Sequence, residues 1–262
     1  MSIGFLGGGK MAEAIIAGLR KDNPDEAILV YDIDRKRLTE LAQRFGVRAL
    51  SGPQELFRPE VDLILAVKPQ VLPELLGEVG ADLPAGQLVM SIAAGLSLGQ
   101  IRQWIPQCQL IRVMPNTPGL IGQGVSCLWG DQLTVQEKER GETIFQSIGT
   151  VHWVEERYFD GVTGVSGSGP AYVYHFIEAL ENAGVNEGLP RSLARELAVD
   201  TVVGSALMVR ETGSHPGELK NMVTSPGGTT IRALEALEEN GFANAVYKAV
   251  GAAAKRSKEL GS

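Results

Sequence analysis

The chain has 262 residues, 44% of them hydrophobic and 21% charged, and carries a net charge of −7. That length can bury one large core or two modest ones, and the composition is ordinarily globular. The acidic balance argues against a nucleic-acid partner, and the longest apolar stretch, near Leu88–Leu96, is far too short to span a membrane.

Ser2–Leu6 reads as a strand, not as the charged and then apolar start of a signal, and helical spacing follows from Met11 to Lys21. Ala27–Tyr31 predicts a second strand and Arg35–Phe45 an amphipathic helix. Val61–Val67 is a near-continuous apolar run, as a buried parallel strand should be, and Leu88–Ile92 and Leu110–Met114 repeat it. Val125–Leu128 and Thr150–Val154 are expected to add edge strands. This βαβ series predicts a doubly wound parallel sheet.

After about Glu156 the strand signals stop. Ala171–Gly184, Arg191–Glu211, Ile231–Asn240 and Phe242–Leu260 all read at helical period. Pro170 and Pro190 stand where first helical turns begin, and Gly241 separates the last two helices. The boundary is placed near 155, giving a dinucleotide-binding region at 1–155 and a helical region at 156–262. The helices carry wide apolar faces rich in small residues, such as Ala198, Val202, Val203, Ala206 and Leu207. Packing on a second copy of the chain would cover them, whereas a self-sufficient bundle is the plainer alternative.

Gly7-Gly8-Gly9-Lys10-Met11-Ala12 fits G-x-G-x-x-G/A directly after a strand and before a helix, the context that makes the pattern a dinucleotide signature. Gly7 permits the tight turn, Gly9 lets backbone approach the pyrophosphate, and Ala12 permits close helix–sheet packing. Asp32 closes the second strand, where a carboxylate would accept from the adenosine 2′-OH of NAD. Arg35, Lys36 and Arg37 follow at once and could pair with a 2′-phosphate, or form a solvated helix start. Ala66-Val67-Lys68-Pro69 and Ser91-Ile92-Ala93-Ala94-Gly95 end strands at the carboxyl edge of the sheet. Their small residues leave room for a flat nicotinamide, although ordinary strand-to-helix turns look the same.

Val223-Thr224-Ser225-Pro226-Gly227-Gly228-Thr229-Thr230 is a loop running into a helix N-terminus. Free N–H groups and the positive macrodipole end make such a start a carboxylate or phosphate site, and a plain capped turn is the alternative. Cys108 and Cys127 suggest a reducing compartment with no disulfide framework, so a cytoplasmic location is expected. They read as buried thiols or, less simply, as a redox pair.

Together these segments resemble the pyrroline-5-carboxylate reductase family. The resemblance rests on Phe5–Met11, Ala66–Pro69, Ser91–Gly95, Arg112-Val-Met-Pro-Asn-Thr-Pro118, Val162–Tyr172, and His215-Pro-Gly-Glu-Leu-Lys220 with Val223–Thr230. It implies a Rossmann-type doubly wound domain followed by an all-α dimerisation domain, with the active site between them. It implies a homodimer or a higher ring of dimers, and reduction of L-1-pyrroline-5-carboxylate to L-proline with NADPH or NADH and no metal. It further implies that Leu6, Gly7, Gly8, Gly9, Lys10 and Met11 contact the pyrophosphate. Ala66, Val67, Lys68 and Pro69, with Ile92, Ala93 and Ala94, would line the nicotinamide half. Ser225, Gly227, Gly228, Thr229 and Thr230 would hold the substrate carboxylate, and Glu156 would lie near the substrate. The family often has Ser, Thr or Asn where this chain has Asp32, which leaves the cofactor preference open.

A cyclic imine accepts hydride once its nitrogen is protonated, and the Thr230 hydroxyl is the best-placed donor in the loop. Substrate that arrives protonated would leave Thr230 an orienting role. His152, His175 and His215 lie in no motif that demands acid work, and His215 is expected to order its His-Pro-Gly turn. Two rivals compete with the reductase reading. A β-hydroxyacid-type dehydrogenase needs a lysine on the first long helix of its second domain, and no lysine occurs between Lys138 and Lys220. A silent dinucleotide sensor would not need the substrate-like loop.

Overall fold

The structure is a computed structural model that describes residues 2–261. The chain forms two compact units. One comprises residues 2–168 and 251–261, and the other is Gly169–Val250.

The first unit is built on one eight-stranded sheet. Its strands are β1 (Ser2–Leu6), β2 (Ile28–Tyr31), β3 (Arg48–Ala49), β4 (Val61–Leu65), β5 (Leu88–Ser91), β6 (Gln109–Met114), β7 (Gly124–Trp129) and β8 (Gly149–Trp153). Their spatial order is β3-β2-β1-β4-β5-β6-β7-β8. The helices are α1 (Lys10–Asp22), α2 (Arg35–Phe45), α3 (Leu72–Val79), α4 (Leu98–Trp104), α5 (Val135–Gln146) and the single turn α6 (Phe159–Val162). Every residue of β4 and β5 is buried, which explains their nearly continuous apolar runs, broken by the buried Asp62 in β4 and Ser91 at the end of β5. The core forms two clusters. One contains Phe5, Ile15, Ile16, Leu41 and Phe145. The other contains Leu63, Leu65, Leu72, Ile101 and Leu110.

The sheet is parallel except where β7 runs antiparallel to β6. Only a 3₁₀ turn at Thr117–Ile121 joins those two strands, too short a link for a parallel crossover. The helix α5 then carries the chain from β7 to β8, so that pair is parallel again. Of the two expected edge strands, β8 is the edge. β7 is an inner strand, because β8 covers its free side.

The contact-defined division falls at Ser168, later than the boundary expected near 155. The intervening residues pack on the sheet unit, where Phe159 is buried under the Arg112 guanidinium, 4.4 Å from the ring centre. A π-turn at Thr163–Gly167 carries the chain through its glycines.

The second unit holds α7 (Gly169–Asn186), α8 (Arg191–Thr212), α9 (Pro216–Met222), α10 (Thr229–Glu239) and the start of α11 (Phe242–Leu260). Gly184 gives α7 close approach to α8, for a Cβ there would stand 3.1 Å from the Ala194 Cβ. Glu181 braces the same hairpin by accepting from Arg191 and Arg195. Among the described residues of this unit, only Glu181, Ala194 and Ala198 are buried. Val173, Phe176, Leu197, Val203, Leu207 and Val246 all remain exposed. A groove of about 730 Å³ lined by Tyr172, Phe176, Leu180, Leu237 and Phe242 runs along it.

The last part of α11 belongs to the first unit. Ser257 donates to Asp160 at 2.7 Å, and the Gly261 carbonyl accepts from Gln100 at 2.8 Å. Among the described residues, no helix is long and apolar enough to cross a membrane. Cys108 and Cys127 are free and buried, and burial pushes the Cys108 thiol up to about 11, so neither is a reactive thiolate near neutral pH.

Candidate functional site

Strand order reverses between β1 and β4, and ligands sit at the carboxyl ends of strands flanking such a point. Parallel registry aligns those ends: Leu6 pairs with Tyr31 and Leu65, and Leu65 pairs with Ser91. The turns Gly7–Gly9, Asp32–Asp34, Ala66–Pro69 and Ile92–Gly95 therefore share one edge of the sheet. The four dinucleotide segments expected from the sequence are brought together there.

Gly7 has φ +105°, and a Cβ on it would stand 2.7 Å from the Ala66 carbonyl oxygen, so no other residue fits this turn. Gly9 is exposed, and a Cβ there would approach nothing nearer than 4.0 Å within the chain. It stands at the N-cap of α1 with no side chain capping the helix. The first N–H groups of α1 are thus open to an anion. Lys10 and Met11 follow on the first helical turn, and Ala12 is buried. Ala66, Val67, Pro69, Ile92 and Ala94 are half-buried, Ala93 is buried and Lys68 is exposed. These residues form a mostly small, partly open floor beside the glycine turn.

Asp32 is tied to its own backbone. Its Oδ2 accepts from the Gly8 N–H at 2.6 Å and its Oδ1 from the Asp34 N–H at 2.8 Å. Of the three neighbouring cations, Arg35 and Arg37 are engaged within the chain, while the Lys36 side chain is exposed. Arg35 donates to the carbonyls of Leu50 and Ser51. Arg37 donates from Nε to the Gly8 carbonyl at 2.6 Å and from its terminal nitrogen to Glu13 at 2.5 Å.

Glu13 was not singled out by the sequence reading. It projects from the first turn of α1, is 8% exposed, and also accepts from Arg44. A faint signal existed in Arg37 and Arg44, two helical turns apart on one face of α2. Burial alone would raise the Glu13 carboxyl, but hydrogen bonds and charge from Arg37 and Arg44 outweigh it and hold it below 4.5. A depressed carboxylate contributes stability above its unfolded value that is lost as pH falls through its folded value. Glu13→Gln should therefore cost about 3 kcal/mol at pH 7, as for a broken buried pair, and this cost should shrink as pH falls through the acidic range in which the carboxylate takes up its proton. Denaturant melts of both proteins across that range check it.

In the second unit, Ser225–Gly228 closes a turn with the Gly228 N–H donating to the Ser225 carbonyl at 3.1 Å. Gly227 takes φ +66°, the left-handed conformation the turn needs. A Cβ at Gly228 would come within 2.3 Å of the Ser225 hydroxyl. α10 starts at Thr229 with no side-chain cap, so the N–H groups of Thr229 and Thr230 point out of an open helix start. Thr230 is half-buried, and its hydroxyl has no hydrogen-bond partner among the described residues. His215 orders the preceding turn as expected, its Nδ1 accepting from the Gly217 N–H at 3.1 Å.

Glu156 lies in the first unit. Its Oε1 accepts from the Leu98 N–H at 2.6 Å and from Arg112 at 2.9 Å, which ties the start of α4 to β6. Asn116, just beyond β6, is a second fastening that the sequence reading missed. It accepts from the Val125 N–H and donates to the Ser166 carbonyl of the π-turn.

The open glycine turn at the switch point of a doubly wound sheet marks a dinucleotide-binding protein of the Rossmann type. Two family models match the chain. One is described as pyrroline-5-carboxylate reductase dimerisation, over residues 156–260, and the other as NADP oxidoreductase, coenzyme F420-dependent, over residues 2–95. A pyrroline-5-carboxylate reductase of Glycine max is 43% identical, with 99% of this chain and 96% of that protein aligned. Its counterpart in Synechocystis is 44% identical, over 100% and 98%. A Plasmodium falciparum pyrroline carboxylate reductase structure with NADP bound aligns over 100% of this chain and 98% of that one, at 34% identity and a TM-score of 0.89. The Coxiella burnetii pyrroline-5-carboxylate reductase structure gives 33% identity and a TM-score of 0.92 at the same coverage. The chain belongs to the pyrroline-5-carboxylate reductase family.

Proposed function

We propose that the protein reduces L-1-pyrroline-5-carboxylate to L-proline with NADPH or NADH. The observation that carries this reading is full-length identity of 43–44% to curated reductases in a chain with both open helix starts, at Gly9 and at Gly228. When bound, the nicotinamide supplies a hydride to the imine carbon. The chain's own residues bind, orient and exclude water. Leu6–Met11 hold the pyrophosphate at the start of α1, and Ala66–Pro69 with Ile92–Ala94 give the nicotinamide its floor. Ser225–Thr230 hold the substrate carboxylate by backbone N–H groups at the start of α10, and the Thr230 hydroxyl orients the imine nitrogen. Hydride adds to the C=N carbon of the protonated imine, and the nitrogen keeps its proton as the ring amine of proline. Glu156 lies near the substrate, with its carboxylate held by the Leu98 N–H and Arg112.

Functionally the chain divides near 155, into a dinucleotide-binding domain and a dimerisation and substrate domain. The uncovered helical faces of the second unit support a homodimer, which could be a building block for a ring of dimers. Two buried free thiols support a cytoplasmic setting.

Supplying pyrroline-5-carboxylate to the protein with NADH or NADPH should consume the dinucleotide and form one proline per dinucleotide oxidised. Consumption with a β-hydroxyacid instead would make it a dehydrogenase of the rival kind. Dinucleotide binding without turnover would make it a sensor.

A further inference from the structure

The pocket beside the glycine turn, about 380 Å³, is lined by Gly8, Gly9, Lys10, Asp32, Asp34, Arg37 and Glu40. It presents three carboxylates and two cations. Both cations are turned toward Glu13. Arg37 reaches it at 2.5 Å, and Lys10, whose side chain is 82% exposed, stands 3.5 Å away. The rest of the Arg37 fork is also spent, on the Gly8 carbonyl and, at 3.3 Å, on Glu40. Arg35, the other guanidinium at this end of α2, faces the carbonyls of Leu50 and Ser51.

We propose that Glu13 sets the choice of cofactor: by holding Arg37 against Gly8 and drawing Lys10 aside, it withholds positive charge from a ribose 2′-phosphate, so the site favours the 2′-hydroxyl dinucleotide, NADH. Glu13 does not touch the cofactor in this scheme and is a positioning residue acting through Arg37. A 2′-phosphate entering the pocket would meet Asp32, Asp34 and Glu40 without a free guanidinium to match it. A 2′-hydroxyl brings no charge and can donate to the remaining lone pairs of Asp32. Arg37 has a second duty on the same geometry. Asp32 fixes the Gly8 N–H and Arg37 fixes the Gly8 carbonyl, so the turn that meets the pyrophosphate is fastened from both sides.

The proposal rests on the dinucleotide reading above, and equilibrium binding of NADH and NADPH without substrate tests it apart from catalysis. The wild-type protein should bind NADH more tightly. Glu13→Gln, which keeps shape and removes the charge, should release Arg37 and Lys10 and shift the NADPH:NADH affinity ratio toward NADPH by roughly tenfold. Arg37→Met should weaken both dinucleotides alike through Gly8, leaving the ratio within about twofold. That second variant decides the matter if Glu13→Gln fails to fold. A selective loss of NADPH in Arg37→Met would show that Arg37 reaches the 2′-phosphate and would overturn the proposal. So would a folded Glu13→Gln protein with the wild-type ratio. If the wild-type protein binds neither dinucleotide, the proposed function falls, and this inference with it.

Discussion

Ala206→Asp is expected to yield inactive, aggregating or monomeric protein. In α8, Val199, Val203 and Ala206 follow one another at spacings of four and three residues, so they form one stripe on the helix. Val199 is 38% exposed and Val203 51%, in a unit that shields almost none of its own side chains. Such a stripe calls for another surface to cover it, and in the proposed homodimer a second copy of the chain supplies one. A buried aspartate without a partner costs several kcal/mol, enough to dissociate an interface of ordinary strength. Sedimentation and activity measured over a dilution series provide the check. A fully active monomer, wild-type or variant, would mean that the helices manage alone.

The second large effect is expected from Thr230→Ala. The KM for pyrroline-5-carboxylate should rise while dinucleotide affinity stays at the wild-type level, because the glycine turn lies in the other unit. In the proposed substrate placement the α10 backbone N–H groups hold the carboxylate and survive the change, so what is lost is one hydrogen bond to the ring nitrogen. That costs about 1–3 kcal/mol, or roughly 5- to 150-fold. An aliphatic hydroxyl titrates far from neutrality and makes a poor general acid, which favours orientation over proton donation. Were Thr230 the acid, kcat would fall by about 10²–10⁴, and the deficit would steepen with rising pH. Unchanged kinetics would remove Thr230 from the site, and with it the main support for placing the substrate on this loop.

The parts of this molecule that were legible in its sequence are those with local causes. Apolar runs marked β1, β4 and β5, because strands buried on both faces have no polar alternation to disguise them. Gly7 and Gly9 were legible because a tight turn and an open helix start leave few residues to choose from. Features with non-local causes were hidden. The antiparallel placement of β7 depends on a link too short for a crossover, and nothing within Gly124–Trp129 itself records it. The role of Arg37 depends on Glu13, which lies 24 positions away in sequence. Read locally, Arg37 was as good a phosphate ligand as any. The Asp32 carboxylate was correctly placed at the end of β2, but its grip on the Gly8 N–H needs the folded turn. Neither Glu156 nor Asn116 showed its fastening role, because both partners of Glu156 and the Ser166 partner of Asn116 lie more than forty positions away along the chain.

The path of the polypeptide has a consequence for synthesis and for cleavage. The chain leaves the sheet unit after Ser168 and re-enters it after Val250. Ser257 and Gly261, which fasten to Asp160 and Gln100, are therefore translated only after the whole helical segment has been made. A nascent chain that has finished all eight strands still lacks these closing contacts, so the sheet unit cannot complete its packing as an independent N-terminal piece. The same route means that one protease nick within 169–250 frees neither unit. Both halves of the cut segment stay covalently rooted in the sheet unit, and two cuts are needed to excise helices from it.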